Sequence, residues 1–172
     1  MRKISLETDY TQVYIILAII FIYFQIAFRV REYNYQPLLT FIFFLINSAF
    51  TVLFFYLFAK IFKKTSPLST YIFTFAYSLI PTFIWFLSNS ALYYFLPPPR
   101  TISVLGKAFS LFFLSFSISL LLWKVILFYL FVRFSTKLPF FSIIFLISLY
   151  LAIIAPYTVI LYRLDISRIP FL

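Results

Sequence analysis

Lys124 stands in Leu120-Leu121-Leu122-Trp123-Lys124-Val125-Ile126, a charge in the middle of an apolar stretch. Ser110 and Ser117 precede it at steps of seven, so the three fall along one stripe of a helix. A second stretch carries Thr74, Tyr77, Ser78, Pro81, Trp85 and Ser88 on a matching stripe, and a third carries Thr40, Asn47 and Thr51. These are an ammonium, several hydroxyls and an amide. Such groups either bind an anionic or lipid headgroup or pin one helix to another by hydrogen bonds. Lys124, Ser117, Tyr77, Ser78 and Asn47 are the candidate walls of a polar cavity.

Two prolines add acceptors. Pro81 leaves the carbonyl of Tyr77 without its helical donor, and Pro156 does the same for Ala152, so both positions are expected kinks. Lys124 has no acid inside its own stretch or any other. It is expected to donate to a freed carbonyl or to Tyr77, Asn47 or Asn89. Arg133 lies nine residues further on, about 13 Å along a helix, and the lysine chain leans the other way. Snorkelling to that end is therefore awkward, and a cation held at mid-depth costs about 2.5–3.5 kcal/mol. Three readings stay open for Lys124: a helix-to-helix contact, a ligand cavity and a tilted snorkelling helix.

The elements that must position these groups are long apolar runs at about 13–30, 38–60, 70–96, 107–132 and 138–162. A hydrocarbon core about 30 Å thick takes about 20 helical residues to cross, which these runs supply. Charged residues are only 10% of the 172, against about 25% in an ordinary soluble domain, and mean hydropathy is +1.07. The expected fold is all-α: a single polytopic domain of five transmembrane helices with short loops. Barrel strands would alternate apolar and polar residues, and these runs do not. The first run ends at Phe28-Arg29 with no small-residue cleavage site, so it reads as a retained helix and not a signal peptide.

Missing residue types exclude much chemistry. With no histidine and no cysteine, haem, iron–sulfur and thiolate or imidazole metal sites lose their usual ligands. The four acids, Glu7, Asp9, Glu32 and Asp165, all lie outside the apolar runs, which removes the usual carboxylate relay of proton-coupled pumps. The lone glycine, Gly106, allows neither a phosphate-cradling loop nor a GxxxG helix pair. The expectation is a protein that is not an enzyme and needs no cofactor and no metal.

The net charge of +10 is carried by basic residues scattered in ones to threes at the run ends. That pattern fits attraction to anionic headgroups and not a nucleic-acid patch. Five passes put Arg2, Lys3, Lys60, Lys63, Lys64, Arg133 and Lys137 on one face, and Arg29, Arg31, Arg100, Lys107, Arg163 and Arg168 on the other. Seven against six is almost balanced. The dense Lys60–Lys64 cluster favours a cytoplasmic N-terminus. Ser69 or Thr70 is expected to cap the third helix, Leu96-Pro97-Pro98-Pro99 to form a stiff connector, and the short Arg133–Pro139 break to make the last two helices antiparallel neighbours. Tyr33, Tyr35, Tyr93 and Tyr94 sit where an interfacial aromatic belt would lie.

The third run reads Phe75-Ala76-Tyr77-Ser78-Leu79-Ile80-Pro81, the fourth holds Leu122-Trp123-Lys124, and Phe134-Ser135-Thr136-Lys137 follows. This series resembles the Yip family of five-span, Rab-interacting membrane proteins over about residues 69–162. The resemblance implies a small integral membrane protein with a cytoplasmic N-terminus that organises membranes or partner proteins. The chain departs from the family in its short N-terminal region, in Lys124 after Trp123, and in its scarcity of glycine; the short N-terminal region points to a prokaryotic-type member and away from GTPase contact. Expected partners are membrane lipids and other membrane proteins or further copies of the chain. Two other functions stay open: a small accessory subunit of a larger transporter or respiratory complex, and a lipid- or anion-binding transport component using Lys124.

Overall fold

A computed structural model describes residues 10–31, 37–62, 66–95 and 103–163. Among these, six helices follow one another: α1 (Thr11–Arg31), α2 (Pro37–Ile61), α3 (Leu68–Ser78), α4 (Ile80–Phe95), α5 (Val104–Thr136) and α6 (Phe140–Arg163). Four stretches are long and apolar enough to cross a membrane: Leu38–Ile61, Leu68–Asn89, Val104–Thr136 and Phe140–Leu161. Thr11–Gln25 is a shorter apolar helix. The fold is an all-α bundle of membrane-spanning length. Pro97–Pro99, Lys63, Lys64, Arg2, Lys3, Glu7, Asp9, Glu32, Tyr33, Tyr35, Arg100, Asp165 and Arg168 lie outside the described residues, as do the side chains of Arg29, Arg31, Tyr93 and Tyr94.

Three expectations need correcting. The run 70–96 is not one helix: it breaks at Leu79, whose N–H bonds the Ala76 carbonyl at 3.1 Å, one residue tighter than an α-helix. Pro81 explains the break. It falls in the first turn of α4, where a missing N–H is tolerated and the preceding chain must re-aim. Pro156, by contrast, lies inside an unbroken α6. Second, α3 starts at Leu68 with Pro67 as N-cap and no side-chain cap, so Ser69 and Thr70 sit inside its first turn. Third, α5 does not stop near Val132 but runs 33 residues to Thr136, about 50 Å.

The extension of α5 has a packing cause. Phe131, Val132, Ser135 and Thr136 are all buried, so the inward stripe continues beyond Arg133, which stays exposed. Lys137 then ends the helix in a left-handed conformation (φ 54°), its N–H bonding the Arg133 carbonyl at 3.1 Å. Pro139 follows, and a link of three residues turns α6 back along α5.

The break at Leu79 divides the packing. α3 lies chiefly along α5, whereas α4 lies along α1 and α5. One core of buried side chains runs through both halves, with aromatic groups at each end. Phe75 of α3, Phe55 of α2, Phe131 of α5 and Tyr150 of α6 meet at one end, with Phe75–Phe131 and Phe55–Phe131 centroids both 5.5 Å apart and edge-on. Tyr23 of α1 stacks on Phe86 of α4 at 4.1 Å at the other end, with Phe24 bridging to Phe44 of α2. The bundle's outside is as apolar as its inside: Leu111, Phe112, Leu114, Leu122 and Val125 on α5 and Phe141 and Phe145 on α6 are all exposed. That distribution suits a hydrocarbon solvent.

Candidate functional site

The inward stripe of α5 runs Gly106, Ser110, Phe113, Ser117, Leu120, Lys124, Phe128, Phe131, each buried or half-buried, with Leu111, Leu114, Ile118, Leu121 and Val125 exposed between them. The helix start is fixed by Ser103, whose hydroxyl accepts from the Gly106 N–H at 3.0 Å. Lys124 therefore points into the bundle, as its seven-residue spacing from Ser117 requires.

Ser117 meets its neighbour directly. Trp85 Nε1 of α4 donates to Ser117 Oγ at 3.3 Å, and that hydroxyl donates to the Phe113 carbonyl at 2.8 Å. The other candidates are spread out. Tyr77 Oη donates to Gln12 Oε1 of α1 at 2.6 Å on a part-exposed edge. Ser78 is buried, and its hydroxyl turns back to the Phe75 carbonyl at 2.6 Å. Asn47 is buried on α2, where its carbonyl accepts from Thr51 Oγ1 at 2.8 Å.

Thr51 Oγ1 in turn lies 2.8 Å from Tyr150 Oη of α6. Tyr150 was not among the sequence candidates. The signal was there: Ile143, Leu146, Tyr150, Ile154 and Leu161 keep one helical stripe, and the structure buries all five. Gln12 carried no comparable signal, since it stands at the start of α1 with no periodic partner.

Ten of the hydroxyls follow one rule. Those of Thr51, Thr74, Ser88, Ser110, Ser115, Ser117, Ser119, Ser135, Thr136 and Thr158 each donate to the carbonyl four residues back on their own helix. A hydroxyl satisfied in this way costs little in lipid. Most of the polar stripe is thus self-contained, with Trp85–Ser117, Tyr77–Gln12 and Thr51–Tyr150 linking helices. Among the described residues no cluster of three or more His, Cys, Asp or Glu stands ready for a metal. The arrangement can orient helices and turn the Lys124 ammonium inward; among the described residues it offers no acid–base pair.

Two gaps lie between the helices. One of about 350 Å³ lies between α1, α2 and α3, and one of about 310 Å³ lies between α4 and the first half of α5, walled by Phe109, Phe112, Phe113 and Phe116. Lys124 lines neither. Compared with family models, with curated proteins and with solved structures, the chain matches none.

Proposed function

We propose that the chain is a non-enzymatic integral membrane protein that crosses the bilayer five times and organises membrane or partner proteins, in the manner implied by its resemblance to the Yip family. One observation carries the reading. Over its 33 residues α5 turns Ser110, Ser117, Ser135, Thr136 and the Lys124 ammonium toward the bundle, while Leu111, Phe112, Leu114, Leu121, Leu122, Val125 and Ile126 are exposed beside Ser115 and Ser119, so most of the side available to a partner is hydrocarbon. Partners of such a face are lipid tails and other apolar helices. α1 supports the fifth pass: 21 helical residues reach about 31 Å, enough for the hydrocarbon core.

A cysteine-free chain allows the topology to be read by single cysteines and a membrane-impermeant maleimide. Five passes predict that Tyr10→Cys, Phe62→Cys and Lys137→Cys label from one side and Ser103→Cys and Arg163→Cys from the other. Labelling of Tyr10→Cys from the side of Ser103→Cys would leave four passes with α1 uncrossed. The accessory-subunit reading is favoured by the exposed rings of Phe112, Phe140, Phe141 and Phe145, which suit a protein neighbour as well as lipid. Mild detergent extraction followed by native mass measurement separates the two: a large complex of fixed composition supports the subunit, and the chain alone or with copies of itself supports the organiser.

A further inference from the structure

The gap between α1, α2 and α3 ends at Leu79. The start of α1 touches α3, where Tyr10 stacks on Phe73 at 5.1 Å and Tyr77 bonds Gln12 at 2.6 Å, but further along Ser48, Ala49 and Ala76 are too small to fill the space between the helices. Its remaining wall is apolar, with Ile16, Leu17, Leu45, Val52 and Phe75 among the lining. At about 350 Å³ it falls within the range of small-molecule sites. Water does not suit it. A buried water takes two to four polar partners, and among the described residues the one side-chain polar atom on this wall is Ser48 Oγ, itself buried without a hydrogen bond. A hydrocarbon chain suits it.

Length and charge say which hydrocarbon. From Leu68, the first residue of α3, to Leu79 at the break is 11 residues, about 16 Å, or about one leaflet. Along α2 the lining residues Leu45, Ala49, Val52 and Leu53 continue through Tyr56 to Lys60, which is exposed at the same end. Five passes set seven basic residues, Arg2, Lys3, Lys60, Lys63, Lys64, Arg133 and Lys137, against two acids, Glu7 and Asp9, on this face. We propose that the gap is a lipid site that holds one acyl chain of an anionic phospholipid, with the headgroup at Lys60. The site rests on the membrane placement and five-pass order given above and involves none of the Lys124 stripe.

The test uses the full chain in mild detergent, stripped of native lipid and exposed to micelles doped with dioleoyl phosphatidylglycerol or dioleoyl phosphatidylcholine, with bound lipid counted by native mass spectrometry. The wild-type chain is expected to keep one phosphatidylglycerol in preference to phosphatidylcholine. Ala76→Trp and Ala49→Trp, which fill the gap from two helices, are expected to lose it, and Lys60→Gln to reduce the headgroup preference about fivefold. Equal retention of the two lipids, or retention unchanged in a folded tryptophan variant, overturns the proposal. A second measurement needs no variant: phosphatidylglycerol carrying a diazirine on its acyl chain should crosslink to α1, α2 and α3 between residues 13 and 79. Adducts confined to α5 and α6 overturn it too. The cysteine labelling of Tyr10 decides the five-pass order separately, so failure of the lipid site and failure of the topology are told apart.

Discussion

Thr51 Oγ1 on α2 and Tyr150 Oη on α6 lie 2.8 Å apart, 99 residues distant in sequence and both buried. The pair ties α6 to the bundle across a contact otherwise made of the rings of Phe54, Phe55 and Phe128 around Tyr150. Thr51 spends its proton on the Asn47 carbonyl at 2.8 Å, which leaves its oxygen to accept from Tyr150. The order of donors is thus settled by the helix itself.

Removing one partner should cost more than removing both. Thr51→Val is expected to lower stability by about 1 kcal/mol, because it strands the Tyr150 hydroxyl in an apolar core. Thr51→Ser should be close to neutral. Thr51→Val with Tyr150→Phe should recover part of the loss. Thermal unfolding in detergent, followed by circular dichroism, checks all three.

Trp85 and Ser117 make a second inter-helical bond at 3.3 Å, longer and half-buried. A double-mutant cycle with Trp85→Phe and Ser117→Ala is expected to give a coupling of about 0.6 kcal/mol, the usual size for such bonds in membrane helices. The indole's larger loss on Trp85→Ala would come from packing against Phe86.

The break at Leu79 depends on Pro81. Pro81→Ala gives the Tyr77 carbonyl its helical donor back and is expected to slow amide exchange over residues 77–83. A straighter α3–α4 should also narrow the gap between α1, α2 and α3, and so reduce lipid retention in the same direction as Ala76→Trp.

Lys137 holds a left-handed conformation that glycine adopts without strain. Lys137→Gly is expected to stabilise the α5–α6 turn by about 0.5 kcal/mol, and Lys137→Val to destabilise it by 1 kcal/mol or more, roughly. Both effects are read from midpoints of thermal unfolding at matched detergent.

Lys124→Leu should ease insertion of α5 taken alone by about 2.5–3.5 kcal/mol, as read in a glycosylation-reporter insertion assay. In the assembled bundle the same change should lower the unfolding midpoint through loss of the polar interaction that the half-buried Lys124 makes. A stability identical to wild type would mark Lys124 as a tolerated passenger.

The helical class, the apolar runs and the inward stripes of α2 and α5 were legible in the sequence. Each rests on a period of 3.6 residues in a solvent that rewards only satisfied backbones. The stripe of Ser110, Ser117 and Lys124 is placed inward as its spacing demands. Element ends were less legible. Arg133 reads as an interfacial stop, yet burial of Ser135 and Thr136 carries the helix past it. Pro67 caps α3 where Ser69 and Thr70 carry the capping chemistry, because the turn from α2 ends before those hydroxyls are reached.

What the sequence by itself determined was the solvent, the number of long apolar runs and which residues of each run seek cover. Composition and periodicity are local properties, and lipid leaves the backbone few alternatives to a helix. Only the tertiary structure decided which stripe meets which: Trp85 with Ser117, Thr51 with Tyr150, Tyr77 with Gln12. It also decided that α3 and α4 part company at Leu79 and leave a gap beside α1. Pairings of that kind depend on helix tilt and on the shapes of many facing rings, and no single segment of sequence contains either.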